Sequence, residues 1–155
     1  KTAALFAAAS RISAVVAECS DSEEQALDDY GRNLGIAFQL VDDALDYAAD
    51  EKEMGKDRGD DFREGKMTLP VILAYARGSA EERTFWEAAI LGHRTSNEDL
   101  AHAVSLVEKH DCVTATRDRA RHFAQRAADA LSIFPDGKAR EAMVAAAHFA
   151  VARGF

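Results

Sequence analysis

Apolar residues recur every three or four positions along almost the whole chain, the spacing that lines one face of an α-helix. Nowhere do β-branched and polar residues alternate as they would in a half-buried strand. Breakers are sparse: two prolines and nine glycines in 155 residues. The pattern therefore predicts an all-α bundle of six or seven helices in a single domain. They cover about 1–18, 23–50, 69–77, 80–91, 97–110, 112–133 and 138–153. Ser22 is a candidate N-cap for the second helix, with Gln25 at the capping-box position. Pro70 suits the first turn of the helix that Gly78 stops. Asn97 and Asp136 are candidate caps, and Pro135 separates the last two helices. Residues 51–66 read as a loop rich in glycine and charge.

Composition supports helix, since Ala, Leu, Glu and Arg are abundant and 48% of the chain is apolar. The net charge of −8 repels nucleic acid and anionic membrane surfaces as main partners. It leaves room for a local basic site that takes an anionic small molecule. Cys19 and Cys112 stand far apart in no metal-ligand spacing, so both are expected as reduced, packed thiols of a cytoplasmic protein. No apolar run approaches the roughly 18 residues of a transmembrane span. The chain opens at Lys1-Thr2 in what reads as mid-helix, so a piece of a longer protein is expected.

The informative stretch is Gly35 to Asp50. On a helical wheel of about 100° per residue, Gly35, Gln39, Asp42, Asp43, Asp46 and Asp50 fall within an arc of roughly 100°. Ile36, Ala37, Phe38, Leu40, Val41, Ala44, Leu45, Ala48 and Ala49 fill the remainder, which predicts burial there. Acids one turn apart repel each other. No Lys or Arg lies between Arg32 and Lys52 to offset them. A hard divalent cation is the simplest compensation, and Mg²⁺ uses one or two carboxylates, waters and substrate phosphates. A solvated acidic face is the competing reading. Lys56 and Lys66, in the loop that follows, can swing towards an anion held by such a metal. His93, His102, His110, His122 and His148 form no Glu-x-x-His pair, and surface or helix-terminal places are expected for them. Phe85 and Trp86 are expected in the core or at a subunit contact.

Phe38-Gln39-Leu40-Val41-Asp42-Asp43-Ala44-Leu45-Asp46 resembles the second aspartate-rich motif of the trans-isoprenyl diphosphate synthases. Gly55-Lys56, Gly59, Asp61, Gly65-Lys66 and Thr68-Leu69-Pro70 resemble that family's downstream loop. Lys1-Thr2-Ala3 is similar to its Lys-Thr diphosphate-binding motif. Gly31 to Gly35, the Ile133-Phe134-Pro135 stretch and the last helix resemble the bacterial octaprenyl and decaprenyl branch. The blocks stand in the family's order. The family carries two aspartate-rich motifs on facing helices, and this chain holds one, so it resembles the C-terminal half of such an enzyme.

The resemblance implies a helical isoprenoid-synthase bundle, a homodimer, and head-to-tail condensation of an allylic diphosphate with isopentenyl diphosphate into a long-chain all-trans polyprenyl diphosphate. It implies Mg²⁺ held by Asp42, Asp43 and Asp46. Catalytic roles fall by resemblance on Lys1, Thr2, Gln39, Asp42 and Lys56. Substrate contacts fall on Lys1, Thr2, Phe38, Gln39, Lys56 and Lys66. The half chain alone is expected to be inactive. Two alternatives share the same residues: a terpene-cyclase-like enzyme and a non-catalytic subunit of a heteromeric synthase.

Overall fold

The computed structural model describes residues 1–48, 59–92 and 96–152. Among these residues every regular element is helical, as the pattern predicts. The helices are α1 (Thr2–Val16), α2 (Asp21–Leu45), α3 (Asp60–Arg63), α4 (Leu69–Arg77), α5 (Ala80–Leu91), α6 (Asn97–Lys109), α7 (Cys112–Ala130) and α8 (Lys138–Ala152), with a 3-10 turn at Leu131–Ile133. No described helix is long and apolar enough to cross a membrane.

Side-chain caps set several boundaries, not always where the sequence suggested. The cap of α2 is Ser20 rather than Ser22. The Ser20 amide donates to Glu23 Oε2 at 2.9 Å, and the Glu23 amide reaches back to Ser20 Oγ at 3.4 Å. Ser96, not Asn97, caps α6 by accepting from the Asp99 amide at 3.1 Å. Asp136 pairs with Arg140, and the first bond of α8 is accepted by the Gly137 carbonyl. A reciprocal Ser79–Glu82 box opens α5. Pro70 sits in the first turn of α4, as expected.

The chain packs as two compact units, with boundaries inside α2 and α7. The first comprises Lys1–Val41 and the chain from Arg117 onward. Its core gathers Tyr30, Ala127, Leu131 and Ala147, flanked by Leu27, Leu34, Phe134 and Met143. The Tyr30 hydroxyl donates to the Met143 carbonyl at 2.9 Å, tying α2 to α8. Two glycines of α2 let α1 approach closely. A Cβ on Gly31 would lie 2.3 Å from the Phe6 carbonyl oxygen, and one on Gly35 would lie 2.6 Å from Ala3 Cα. No larger residue fits against a neighbouring backbone at that range.

The second unit is Asp42–Thr116. Its core holds Tyr47, Phe62, Val71, Trp86, Val107 and Cys112. Trp86 is 1% exposed, with its ring edge-on to Phe62 and to Phe85, so both aromatics serve packing. The prediction of two interior thiols holds for Cys112 alone: Cys19 is only partly buried, at the turn after α1. Both are free. His102, His122 and His148 are exposed, and His110 is the C-cap of α6. His93 lies outside the described residues.

The second helix was expected to continue to about residue 50, and it ends at Leu45. The Asp46 amide still bonds the Asp42 carbonyl at 3.2 Å. The next two amides tighten onto Ala44 and Leu45, three residues back, as at many helix ends. The Asp46 carbonyl then accepts from the Gly59 amide at 3.1 Å instead of continuing the helix.

Candidate functional site

In the first unit, the residues singled out from the sequence gather around the start of α1. Lys1 is exposed at the N-cap, and its carbonyl accepts from the Leu5 amide. The Thr2 hydroxyl donates to Gln39 Oε1 at 3.0 Å, which joins two of these residues directly. Phe38 is half-buried, its ring 5.7 Å from that of Phe6. This arrangement offers one cation and two oxygen dipoles at a helix start, where unsatisfied amides favour negative charge.

In the second unit, the three aspartates have three different environments. Asp42 is exposed. Asp43, one residue on and about 100° around the helix, is only 8% exposed. Asp46 is half-buried just beyond the helix end. It accepts the Asp60 amide on Oδ1 and the Asp61 amide on Oδ2, each at 3.1 Å. Burial first, and then the neighbouring Asp61 charge, push its carboxyl up to about 6. The two amide bonds oppose that rise without cancelling it. The three carboxylates of the acidic stripe thus differ in exposure and in partners.

Lys66 lies exposed beside Asp61 Oδ1 at 2.8 Å and Glu64 Oε2 at 2.7 Å. These hydrogen bonds raise its ammonium group above the usual lysine range. The loop runs through Gly65 at φ 68°, and the Lys66 amide bonds the Asp61 carbonyl at 2.8 Å. Lys56 and Asp50, also singled out, lie outside the described residues. Asp61 emerges as a residue that the site assignment missed. Its position between Gly59 and Gly65 was the available signal.

Among the described residues no three His, Cys, Asp or Glu side chains are grouped tightly enough to cage a metal. A hard cation that keeps most of its waters does not need such a cage. An exposed Asp42 beside an acidic neighbour fits that binding mode. The donors are all oxygen, the set that Mg²⁺ and Ca²⁺ prefer.

The family model described as polyprenyl synthetase matches residues 1–107. The chain belongs to the polyprenyl synthetase family. Its polyprenyl synthetase relatives include the octaprenyl diphosphate synthase of Haemophilus influenzae, 39% identical over 155 residues, covering 100% of this chain and 47% of that protein. The octaprenyl diphosphate synthase of Escherichia coli is 42% identical over 153 residues, with 99% and 47% covered. A solved polyprenyl synthase from Caulobacter crescentus, complexed with calcium and isoprenyl diphosphate, is 48% identical with a TM-score of 0.88. The match covers 96% of this chain and 45% of that one. A decaprenyl diphosphate synthase from Rhodobacter capsulatus is 44% identical with a TM-score of 0.90, covering 99% and 47%. The chain thus spans about half the length of the polyprenyl synthetases it matches.

Proposed function

We propose that the protein carrying this chain is a Mg²⁺-dependent prenyltransferase. It condenses isopentenyl diphosphate with an allylic diphosphate to make a long-chain all-trans polyprenyl diphosphate, a precursor of a quinone side chain. The carrying observation is the set of acids at the end of α2, Asp42 and Asp43 within it and Asp46 just past it, followed in the same unit by the Asp61–Lys66 pair. Membership of the polyprenyl synthetase family and likeness to octaprenyl diphosphate synthases support the long-chain reading. A cytoplasmic setting is supported by two free cysteines, and a homodimer of complete subunits is part of the proposal.

In this reaction the allylic C–O bond breaks and diphosphate leaves with the bonding pair. The double bond of isopentenyl diphosphate attacks the allylic cation, a C–C bond forms, and a proton passes to the departed diphosphate. Charge grows on the leaving diphosphate, so fixed donors placed around it lower the barrier. Lys1, Lys56 and Lys66 are proposed to hold the diphosphate groups. Thr2 and Gln39, joined by their own hydrogen bond, are proposed to offer their remaining oxygen lone pairs to the allylic cation, and Phe38 to border the apolar chain. Asp42 is the proposed principal Mg²⁺ ligand, with Asp43 acting through water. When bound, Mg²⁺ supplies positive charge to the diphosphate oxygens.

The test is incubation of the full-length protein with farnesyl diphosphate, isopentenyl diphosphate and Mg²⁺, with products resolved by chain length. A ladder ending in long prenyl chains is expected. Turnover of farnesyl diphosphate without isopentenyl diphosphate would point instead to a cyclase, and no turnover with either to a non-catalytic subunit.

A further inference from the structure

We infer that Asp46 is a positioning residue that fixes the backbone at 59–61, and through it Asp61 and Lys66, rather than a ligand of the metal. The inference rests on the reading above for the metal at Asp42 and for the diphosphate that Lys66 holds.

Helix α3 begins without a local cap. Its N-cap is Gly59, which has no side chain to accept from the first amides of the helix. A capping Ser or Asp would be strained there. Gly59 has φ 82°, in the region that favours glycine, and a Cβ would fall 2.2 Å from Leu100 Cδ1. The acceptor must therefore come from elsewhere, and Asp46 supplies it from fourteen residues upstream. Its carbonyl takes the Gly59 amide at 3.1 Å. Its two carboxylate oxygens take the Asp60 and Asp61 amides, each at 3.1 Å. One residue thus binds three successive amides.

That arrangement commits both carboxylate oxygens to fixed donors. A metal with strict octahedral demands would have to approach whatever lone pairs those bonds leave, whereas Asp42 lies exposed on the helix. The consequence of the clasp runs downstream. Asp61 is bonded twice to Lys66, carboxylate to ammonium at 2.8 Å and carbonyl to amide at 2.8 Å. Where Asp46 sets the Asp61 backbone, it sets the place of the Lys66 ammonium.

The experiment compares Asp46→Asn and Asp42→Asn in the full-length protein. Amide hydrogen exchange without metal is expected to accelerate at Asp60 and Asp61 by about tenfold or more in Asp46→Asn, and not in Asp42→Asn. In the kinetics, Asp46→Asn should raise the KM for the diphosphate substrate several-fold. Its Mg²⁺ concentration for half-maximal rate should stay within about twofold, while that of Asp42→Asn rises. Lys66→Ala should cost less in the Asp46→Asn background than alone, because the two changes damage one arrangement. Equal shifts in Mg²⁺ requirement for the two variants, or unchanged exchange at 60 and 61, would overturn the inference. Should Asp46→Asn fail to fold, the unmutated protein still decides. Mg²⁺ with inorganic diphosphate should not loosen the 60–61 amides, and loosening would show that Asp46 leaves them for the metal. A protein with no prenyl transfer at all would sink the proposed reaction, while the exchange data would still judge the clasp.

Discussion

Thr2 and Gln39, thirty-seven residues apart in sequence, share a hydrogen bond of 3.0 Å from hydroxyl to amide oxygen. The bond orients the Gln39 side chain, because accepting at Oε1 leaves its NH₂ group directed away from Thr2. A net hydrogen bond of this kind contributes about 1 kcal/mol. In a double-mutant cycle with Thr2→Val and Gln39→Leu, kcat/KM of the full-length protein should show a coupling of about that size. Strictly additive losses would mean that the two side chains act separately.

Asp42 should be the most sensitive of the three aspartates in turnover. Asp42→Ala is expected to lower kcat by on the order of 10²-fold or more, through lost stabilisation of the leaving diphosphate. The measurement is steady-state turnover at saturating Mg²⁺. An unchanged rate would remove Asp42 from the chemistry.

Acid should unlock the junction built on Glu82. Its carboxylate receives Lys109 Nζ at 2.6 Å, His110 Nε2 at 2.8 Å and the Ser79 amide at 2.9 Å. These partners, Lys109 foremost, hold it down to about 2 from the usual 4.5. The folded state therefore binds fewer protons than the unfolded chain between those values. The stability Glu82 contributes is complete above about pH 4.5 and is lost as pH falls towards 2. Thermal melts between pH 2 and 5 should show a shallower pH slope in Glu82→Gln than in the parent.

Gly31→Ala and Gly35→Ala should each destabilise the first unit. The atoms nearest their added methyl groups are backbone atoms of α1, which cannot swing aside as a side-chain tip can. Overpacking of this kind costs about 1–3 kcal/mol. Urea denaturation should report it as a lower midpoint at unchanged slope.

Residues 1–155 made alone should self-associate. Leu5, Ile12, Val15 and Val16 lie along one side of α1, with exposures from 54% for Val15 to 79% for Val16. An apolar face of that kind in water favours association. Sedimentation velocity should show species larger than monomer, and Leu5→Glu with Ile12→Glu should reduce them. A monodisperse parent would count against the effect.

The sequence carried the all-α class because Ala-rich helices and few breakers leave no competing pattern, and α4 begins and ends where Pro70 and Gly78 suggest. Its errors lie where the deciding partner is distant or nearly equivalent. Ser20-x-x-Glu23 and Ser22-x-x-Gln25 are both capping boxes on paper, and only the first is formed. The stop at Leu45 was not legible, because it depends on amides at 59–61 that no local window contains. The same distance hid the role of Asp61. Thr2 and Gln39 were both singled out, yet their direct bond depends on the close crossing that Gly31 and Gly35 permit.

Lys66 carries one positive charge, and Asp61 and Glu64 already share it. A bare diphosphate approaching that ammonium meets two carboxylates as well, so one positive charge against two negative ones leaves net repulsion at a distance. The order of arrival follows from this local balance. The anion should come accompanied, as a chelate whose cation offsets the acids, rather than alone to wait for a metal. Titration of the full-length protein with inorganic diphosphate should accordingly give weak binding without Mg²⁺ and much tighter binding with it. Equal affinities would show that the lysine meets its anion unaided.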